Sequence, residues 1–176
     1  MFKTVVLDPP WLERGGGKIK RGADRHYPLV KTADLPAVIK SCPHWEGIEA
    51  DAHMYMWVTN TFLRDGLWLM EELGFTYKSN VVWVKQRIGL GQYFRGQHEI
   101  CLFGVKGDSY AVRTDDKTIS SVLHADRGKH SKKPDTFMEL VEKRSKGPYL
   151  EVFARRERNQ WTCWGNQLGE ADAQEG

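Results

Sequence analysis

The stretch VVLDPPW (residues 5–11) places an acid, two prolines and a tryptophan directly after an apolar run. The apolar residues over Phe2–Leu7 predict a strand that is buried on both faces. In an open α/β sheet, ligands bind beyond the carboxyl ends of the strands, and Asp8 stands at such an end. The four side chains of DPPW are therefore the first candidates for chemistry.

Asp8 and the two prolines predict a group of hydrogen-bond acceptors without competing donors. Pro9 and Pro10 have no backbone N–H, so their carbonyl oxygens and the Asp8 carboxylate suit a planar amine with two N–H donors. Trp11 adds an aromatic face that can stack on a flat heterocycle. Adenine carries such an amine, and hydrogen bonds to both of its N–H groups would stabilise the positive charge that grows as its nitrogen attacks a methyl carbon. The alternative is an Asx-Pro turn with Trp11 in the core.

The composition describes a soluble globular protein, with 28% charged and 40% hydrophobic residues among 176. This length predicts a single domain over residues 1–168 and a frayed tail over 169–176. No apolar stretch approaches the roughly 20 residues that a membrane span requires. Cys42, Cys101 and Cys163 form no CxxC pair, so neither a metal site nor a disulfide framework is expected, and a cytoplasmic location follows.

Cations are unevenly distributed along the chain, although the net charge is only +3. They gather in four clusters, at residues 14–25, 127–133, 143–146 and 155–158. Solvated loops and helix ends explain any single cluster, but four of them together favour a polyanionic partner such as nucleic acid. Two glycine-rich basic segments, 12–26 and 86–97, are candidates to grip phosphates.

Apolar periodicity predicts strands alternating with helices. Strands are expected at 2–7, 52–59, 77–85, 98–107 and 149–154, with a closing strand and turn within 161–168, and helices at 32–40, 61–73 and 136–144. This alternation predicts an α/β fold with a mostly parallel sheet and helices on both faces. The closely spaced third and fourth strands suggest an antiparallel pair at one side.

A series of motifs in consistent order resembles the adenine methyltransferase family that includes the catalytic subunit of the eukaryotic mRNA N(6)-adenosine methyltransferase and many bacterial and phage DNA adenine methyltransferases. The bacterial and phage branch is the most similar. The motifs are LDPPW (7–11), HYP (26–28), MWVTN (56–60), VVWVK (81–85), QHEICLFGVKG (97–107), HSKKPDTF (130–137), LEVFARRER (150–158) and WGNQ (164–167).

The resemblance implies a Rossmann-like, S-adenosylmethionine-dependent methyltransferase fold with a permuted motif order. It implies S-adenosyl-L-methionine as methyl donor and catalysis by Asp8, Pro9, Pro10 and Trp11 on a flipped base. It also implies substrate contacts from His26, Tyr27 and Lys85. The implied cofactor-binding residues are Asp8, His98, Ser131, Lys133, Glu151, Phe153, Arg155, Asn166 and Gln167.

The chemistry of these residues agrees with that assignment but leaves alternatives. Asn166 and Gln167 offer amide groups suited to a cis-diol and a heterocycle, and Gly165 permits close backbone approach, although WGNQ is also compatible with a plain turn. Lys85 is equally compatible with a solvated strand end, and Ser131 with a helix cap. A lone histidine such as His98 is more often structural.

DNA is the favoured substrate, and adenine in RNA, the amino group of cytosine, or a catalytically silent nucleic-acid-binding subunit are the alternatives. Reaching the amine in a duplex requires base flipping. Tyr93 or Phe94 would insert near the vacated stack, unless both rings pack onto the sheet. The resemblance also allows a homodimer or a heterodimer.

Overall fold

The structure, a computed structural model, describes residues 1–12, 29–128, 132–166 and 168. The strands in these ranges are β1 (Phe2–Leu7), β2 (Ile48–Val58), β3 (Thr76–Val84), β4 (His98–Lys106), β5 (Val122–His124), β6 (Tyr149–Val152) and β7 (Trp161–Trp164). The α-helices are α1 (Leu35–Lys40), α2 (Leu63–Glu72), α3 (Ser109–Val112) and α4 (Asp135–Arg144). Short 3-10 helices cover Thr32–Asp34, Trp45–Gly47 and Asn60–Phe62.

The described strands form one seven-stranded sheet in the order β5-β3-β4-β2-β1-β6-β7. Strands β1, β2, β6 and β7 pair in parallel, as do β3 and β5. Strand β4 is antiparallel to both of its neighbours, β2 and β3. The predicted α/β sheet is therefore confirmed, including the antiparallel pair of the third and fourth strands, and β5 lies beyond that pair as an edge strand that was not predicted.

Two apolar layers hold helices on opposite faces of the sheet, as expected. One layer joins β1 and β2 to α1 and α2, where Leu35, Ile39 and Leu69 are fully buried. The other packs α4 against the sheet, with Phe137 and Val141 buried beside Trp57. Burying a large apolar side chain contributes about 1.5–3 kcal/mol, so these layers fix the strand ends that carry the site.

Two short elements went unpredicted, the strand predicted at 149–154 ends at Val152, and one strand begins well before its predicted start. Strand β2 begins at Ile48, four residues before the predicted 52, because it pairs in parallel with the start of β1. Strand β5 has three residues and helix α3 has four, too few to show an apolar period. Within the described ranges, no helix has the length and apolar character needed to cross a membrane.

Candidate active site at the carboxyl edge of the sheet

The order of the strands creates a crevice at the carboxyl ends of β1 and β6. Strand β1 lies between β2 and β6. The strand that follows β1 in sequence, β2, lies on one side of it, whereas the strand that follows β6, β7, lies on the opposite side of the sheet. Ligands of open α/β sheets bind at such a reversal of strand order. Asp8 follows β1 and Phe153 follows β6, so both stand at this position. Because β4 is reversed, its first residues also lie at the same edge.

The Asp8 carboxylate is accessible and is flanked by two cations. Its side chain is 23% exposed. The Nζ atom of Lys133 lies 3.6 Å from Oδ1, and the Nη2 atom of Arg155 lies 4.0 Å from Oδ2. Both distances exceed hydrogen-bond length, so these two cations attract the carboxylate without occupying its lone pairs.

Glu99, which the sequence analysis did not select, links two lysines of the site. Its Oε1 atom accepts a hydrogen bond from Lys85 and its Oε2 atom accepts one from Lys133, both at 2.6 Å. Burial alone would raise the pKa of Glu99, but the two ammonium groups outweigh burial and hold this pKa below its ordinary value. Asp8, Lys133, Glu99 and Lys85 thus form a chain of alternating charge.

Burial and electrostatic attraction also have opposite effects on the pKa of Lys133. Burial disfavours its ammonium, but the attraction of Asp8 and Glu99 is stronger, so the pKa of Lys133 lies above its ordinary value. Its Nζ atom is also 5.0 Å from the centre of the Trp57 ring, and that of Lys85 is 4.8 Å from the Trp83 ring. Cation–π attraction therefore helps to hold both lysines above buried indoles.

The carbonyl groups of the two prolines differ from the sequence expectation. The Pro9 oxygen accepts a hydrogen bond from the Trp11 N–H at 2.9 Å, and the Pro10 oxygen accepts one from the Val30 N–H at 3.0 Å. The prolines contribute no N–H donor, as expected, but each oxygen already accepts one backbone hydrogen bond, which the sequence did not predict. Each carbonyl oxygen has a second lone pair and can still accept from a ligand.

Trp11 is a core residue, and the expectation of an open stacking face is wrong. Its side chain is 4% exposed and its ring stacks on Phe62, with centroids 5.4 Å apart. Its Nε1 atom donates a hydrogen bond to the Trp57 carbonyl at 3.0 Å. The buried indole ring and its hydrogen bond hold Trp11 in one position. Because Trp11 directly follows Pro9 and Pro10, this also fixes the backbone of the two prolines.

Several predicted cofactor residues lie where β6 and β7 end. A Cβ added to Gly165 would meet the Ala154 oxygen at 2.2 Å, so glycine is needed for the close approach of the two strand ends. Phe153 has a φ of 65°, the left-handed backbone that costs energy for a side chain of this size and that often marks functional sites. Asn166 is exposed at the end of β7.

Glu151 is a half-buried acid on β6 whose charge is not fully compensated. Burial raises its pKa from 4.5 to about 7, and the Asp8 charge adds to this increase while Arg158 and Arg155 oppose it. The Cys163 Sγ atom donates a long hydrogen bond of 4.0 Å to the Glu151 Oε2 atom. Glu151 is therefore close to half-ionised near neutral pH.

Comparison with known proteins places this geometry in a family. The MT-A70 family model matches residues 2–167, nearly the whole chain. The chain belongs to the MT-A70 family. The family resemblance and the Rossmann-like methyltransferase fold expected from the sequence are thereby confirmed.

Among similar MT-A70 proteins is a probable N(6)-adenosine-methyltransferase MT-A70-like from Oryza sativa subsp. japonica, 29% identical over 95% of this chain and 23% of its own length. The N(6)-adenosine-methyltransferase catalytic subunit METTL3 of Homo sapiens is 26% identical over 95% of this chain and 28% of its own. Type II methyltransferase M.MunI from Mycoplasma sp is 25% identical, with 95% and 78% covered. The chain thus spans about a quarter of the plant and human relatives.

MT-A70 methyltransferases use S-adenosyl-L-methionine as methyl donor, which confirms the cofactor implied by the resemblance. The residues at the ends of β6 and β7 fit this group. Within the described ranges the Arg158 Nε atom is buried without a hydrogen-bond partner, and the Glu151 carboxylate has room for further donors. A ligand that carries hydroxyl groups and a positive charge complements such groups. Glu151, Phe153 and Asn166 would hold it there.

The remaining predicted residues divide into two groups. His26, Tyr27, Ser131 and Gln167 lie outside the described residues, as do residues 13–26 of the basic 12–26 segment. His98 is exposed at the first position of β4, opposite Val84, and therefore stands at the same edge as Asp8. The roles implied for these residues stay predictions.

Proposed function

We propose that this chain transfers a methyl group from S-adenosyl-L-methionine to the exocyclic N6 amine of adenine in DNA. The observation that carries the proposal is the Asp8 carboxylate, which is partly exposed at the reversal of strand order and has both flanking cations beyond hydrogen-bond distance. That carboxylate stands at the same sheet edge as Asn166 and the end of β6.

The amine would be held by acceptors on the backbone turn after β1. Asp8 accepts one N–H, and the second lone pair of a proline carbonyl accepts the other. As the nitrogen–carbon bond forms and the carbon–sulfur bond breaks, positive charge grows on the amine, and the Asp8 carboxylate stabilises it. The extra proton leaves the nitrogen late, to solvent, so Asp8 does not need to be a strong base.

Glu99 keeps Lys133 from blocking this acceptor. Lys133 is bound to Glu99 at 2.6 Å and stands 3.6 Å from Asp8, so its ammonium lies just beyond hydrogen-bond distance of Asp8. A lysine free to pair with Asp8 would occupy an oxygen that the amine requires. The Lys85–Glu99 hydrogen bond fixes the other side of this arrangement.

Two observations support DNA as the substrate. The chain covers 78% of the Type II methyltransferase M.MunI but only about a quarter of the rice and human N(6)-adenosine-methyltransferases, and the bacterial and phage branch that its motifs resemble includes DNA adenine methyltransferases. The segment 86–97 also exposes Tyr93 by 91% and Phe94 by 90%, so these rings do not pack onto the sheet. Exposed aromatic rings beside Arg87 and Arg95 suit insertion at a flipped base.

The test is mass spectrometry of nucleosides after incubation of the protein with S-adenosyl-L-methionine and either DNA or RNA. We expect N6-methyladenine in DNA. Methylation of RNA alone, or of cytosine, would contradict the substrate proposed here.

Asp8→Ala is expected to abolish methyl transfer while S-adenosylhomocysteine still binds, because the amine loses its charged acceptor. Calorimetry and methyl transfer are measured on the same preparation, with Asp34→Ala, an exposed acid on the Thr32–Asp34 helix, as the matched control. Activity retained in Asp8→Ala would reject the assignment of Asp8.

A further inference from the structure

A second cavity lies at the opposite, amino edge of the sheet. It encloses about 540 Å³ and is lined by His53 of β2, Phe103 of β4, the segment 109–117 and the last residue of α4. We call it the amino-edge cavity. His53 and Phe103 are in edge-to-face contact, with ring centroids 5.0 Å apart, and Phe103 packs against the apolar layer under α4. The cavity and the candidate active site therefore share one face of the sheet.

The amino-edge cavity is strongly cationic. Lys78, Arg113, Lys117 and Arg144 line it, against a single acid, Asp115. Lys78, Arg113 and Lys117 are exposed. Cations that converge on a concave surface raise the local potential and attract anions.

The floor of the cavity is a rigid polar network that adds no charge. His53 donates from Nε2 to the Ser109 carbonyl at 2.9 Å, so its Nδ1 accepts from the Ser145 hydroxyl at 2.7 Å. The Tyr55 hydroxyl completes the network by donating to Ser145 at 2.7 Å. Burial lowers the pKa of His53, and the charge of Arg144 lowers it further. The imidazole is therefore neutral, and the cavity is charged only at its walls.

The walls combine an anchored guanidinium with an exposed aromatic ring. Arg144 donates to the carbonyl oxygens of Thr114 and Asp116, which fixes its position at the end of α4. Arg113 lies 4.5 Å from the centre of the Tyr110 ring, and Tyr110 is 70% exposed. Cations beside an exposed aromatic ring are the features with which proteins hold a phosphate and its neighbouring base.

We propose that the amino-edge cavity binds a phosphate group of the nucleic-acid substrate, with the adjacent nucleotide beside Tyr110. This inference rests on the proposed function. Lys78 on β3 and Lys85 directly after β3 are seven residues apart, so the cavity stands about 23 Å from the catalytic edge. A nucleic-acid strand covers this distance in about seven nucleotides. A volume of 540 Å³ accommodates one nucleotide.

The length of the bound strand gives a direct test. Binding is measured by fluorescence anisotropy with one oligonucleotide of about 5 nucleotides and another of about 20, each with a central adenine, since only the longer one reaches both edges. The variant Lys78→Gln/Lys117→Gln removes two exposed cations of the cavity. We expect about tenfold weaker binding of the long oligonucleotide, a shallower salt dependence by about one to two ions, and unchanged binding of the short one.

A matched variant removes two positive charges elsewhere. Lys3→Gln/Lys40→Gln changes net charge equally, and neither residue lines the cavity. It is expected to bind both oligonucleotides like the unsubstituted protein. Equal losses in the two double variants, or no loss in the cavity variant, would overturn the proposal.

A competition experiment distinguishes a phosphate of the nucleic-acid strand from a free phosphate or mononucleotide. Adenosine monophosphate and inorganic phosphate are titrated while amide resonances near Tyr110 are followed by nuclear magnetic resonance. Weak binding of both, displaced by the long oligonucleotide, supports a nucleic-acid contact. Binding of the free mononucleotide as tightly as the oligonucleotide would overturn it. These readouts measure binding, so absence of methyl transfer would reject the proposed function separately.

Discussion

At the scale of single residues, one acid determines where two cations stand. Glu99 holds the ammonium groups of Lys85 and Lys133 at 2.6 Å, while Asp8 is approached by Lys133 only to 3.6 Å. The difference in distance leaves Asp8 available to a substrate donor. Glu99 begins the otherwise apolar run EICLFGV (99–105) of β4, and a charged residue at the start of such a run is the signal by which the sequence could have revealed it.

Glu99→Gln is expected to lower kcat for methyl transfer by about 100-fold, because Lys133 then moves towards Asp8 and occupies its oxygens. The affinity for S-adenosylhomocysteine and the KM for the oligonucleotide should change little. Single-turnover kinetics measure the effect, with Glu139→Gln on the exposed side of α4 as the control. A variant with full activity would show that Lys133 does not need to be restrained.

Glu151 predicts a pH dependence of folding stability. Its folded pKa of about 7 lies above its ordinary 4.5, so between these values the folded state retains a proton that the unfolded state has lost. Stability contributed by this group is therefore full below pH 4.5 and is lost as pH rises towards 7, by about 1–3 kcal/mol.

Glu151→Gln should remove this part of the pH profile, so that the variant gains stability relative to the unsubstituted protein as pH rises from 5 to 8. Urea unfolding at several pH values measures the difference, with Glu142→Gln on α4, whose carboxylate accepts the Trp161 indole N–H, as a comparison. Parallel profiles for Glu151→Gln and the unsubstituted protein would contradict the raised pKa.

At the scale of elements, the sequence predicted those parts of the site that follow strong periodic patterns. Asp8 after β1 and Glu151 on β6 were expected where they are found, because long apolar runs define strands and parallel strands end at one edge. The role of Trp11 was mistaken because a tryptophan after a strand looks the same in sequence whether its ring is open or stacked on Phe62. The amino-edge cavity depends on α3, which is too short to predict.

Among the described residues, the segment 86–97 carries the two most exposed large hydrophobic side chains. Its rings at Tyr93 and Phe94 are about 90% exposed, and the turn is closed by hydrogen bonds from the Gly89 N–H to the Gly96 carbonyl and from Arg95 to the Gly89 carbonyl. These hydrogen bonds hold the turn in place, and the two rings take no part in them. Both rings are therefore available for the nucleic-acid contact that we propose.

Tyr93→Ser/Phe94→Ser is expected to leave thermal stability unchanged and to slow methylation of duplex DNA by about tenfold or more, with a smaller effect on single strands. The reason is that only a duplex has a stack to be filled when a base leaves it. Methylation of the two substrates is compared in parallel, with Trp68→Ser, a 40% exposed ring on α2, as the control. Equal slowing of both substrates would point to a general binding role.

At the scale of the whole molecule, one sheet separates two charged regions by the length of its strands. The carboxyl edge carries the alternating charges around Asp8, and the amino edge carries the cationic cavity. The α/β architecture was predictable because every layer has its own periodic pattern. The pairing of Glu99 with Lys85 and Lys133 was not predictable, because it depends on the register between strands. The single-domain organisation, the cytoplasmic location and any dimer stay predictions.

The reversal of β4 has a consequence for how this scaffold can vary. Both ends of the 86–97 segment lie at the edge of the sheet that carries Asp8, and they are joined there by the hydrogen bond of 2.9 Å from the Lys85 N–H to the Gln97 carbonyl and by the return bond of 3.0 Å from the Gln97 side-chain amide. This clamp closes an insertion point that can be lengthened, shortened or grafted from another protein without disturbing the strands that carry Asp8. We therefore expect changes of sequence or length in this segment to leave the position of Asp8 unchanged.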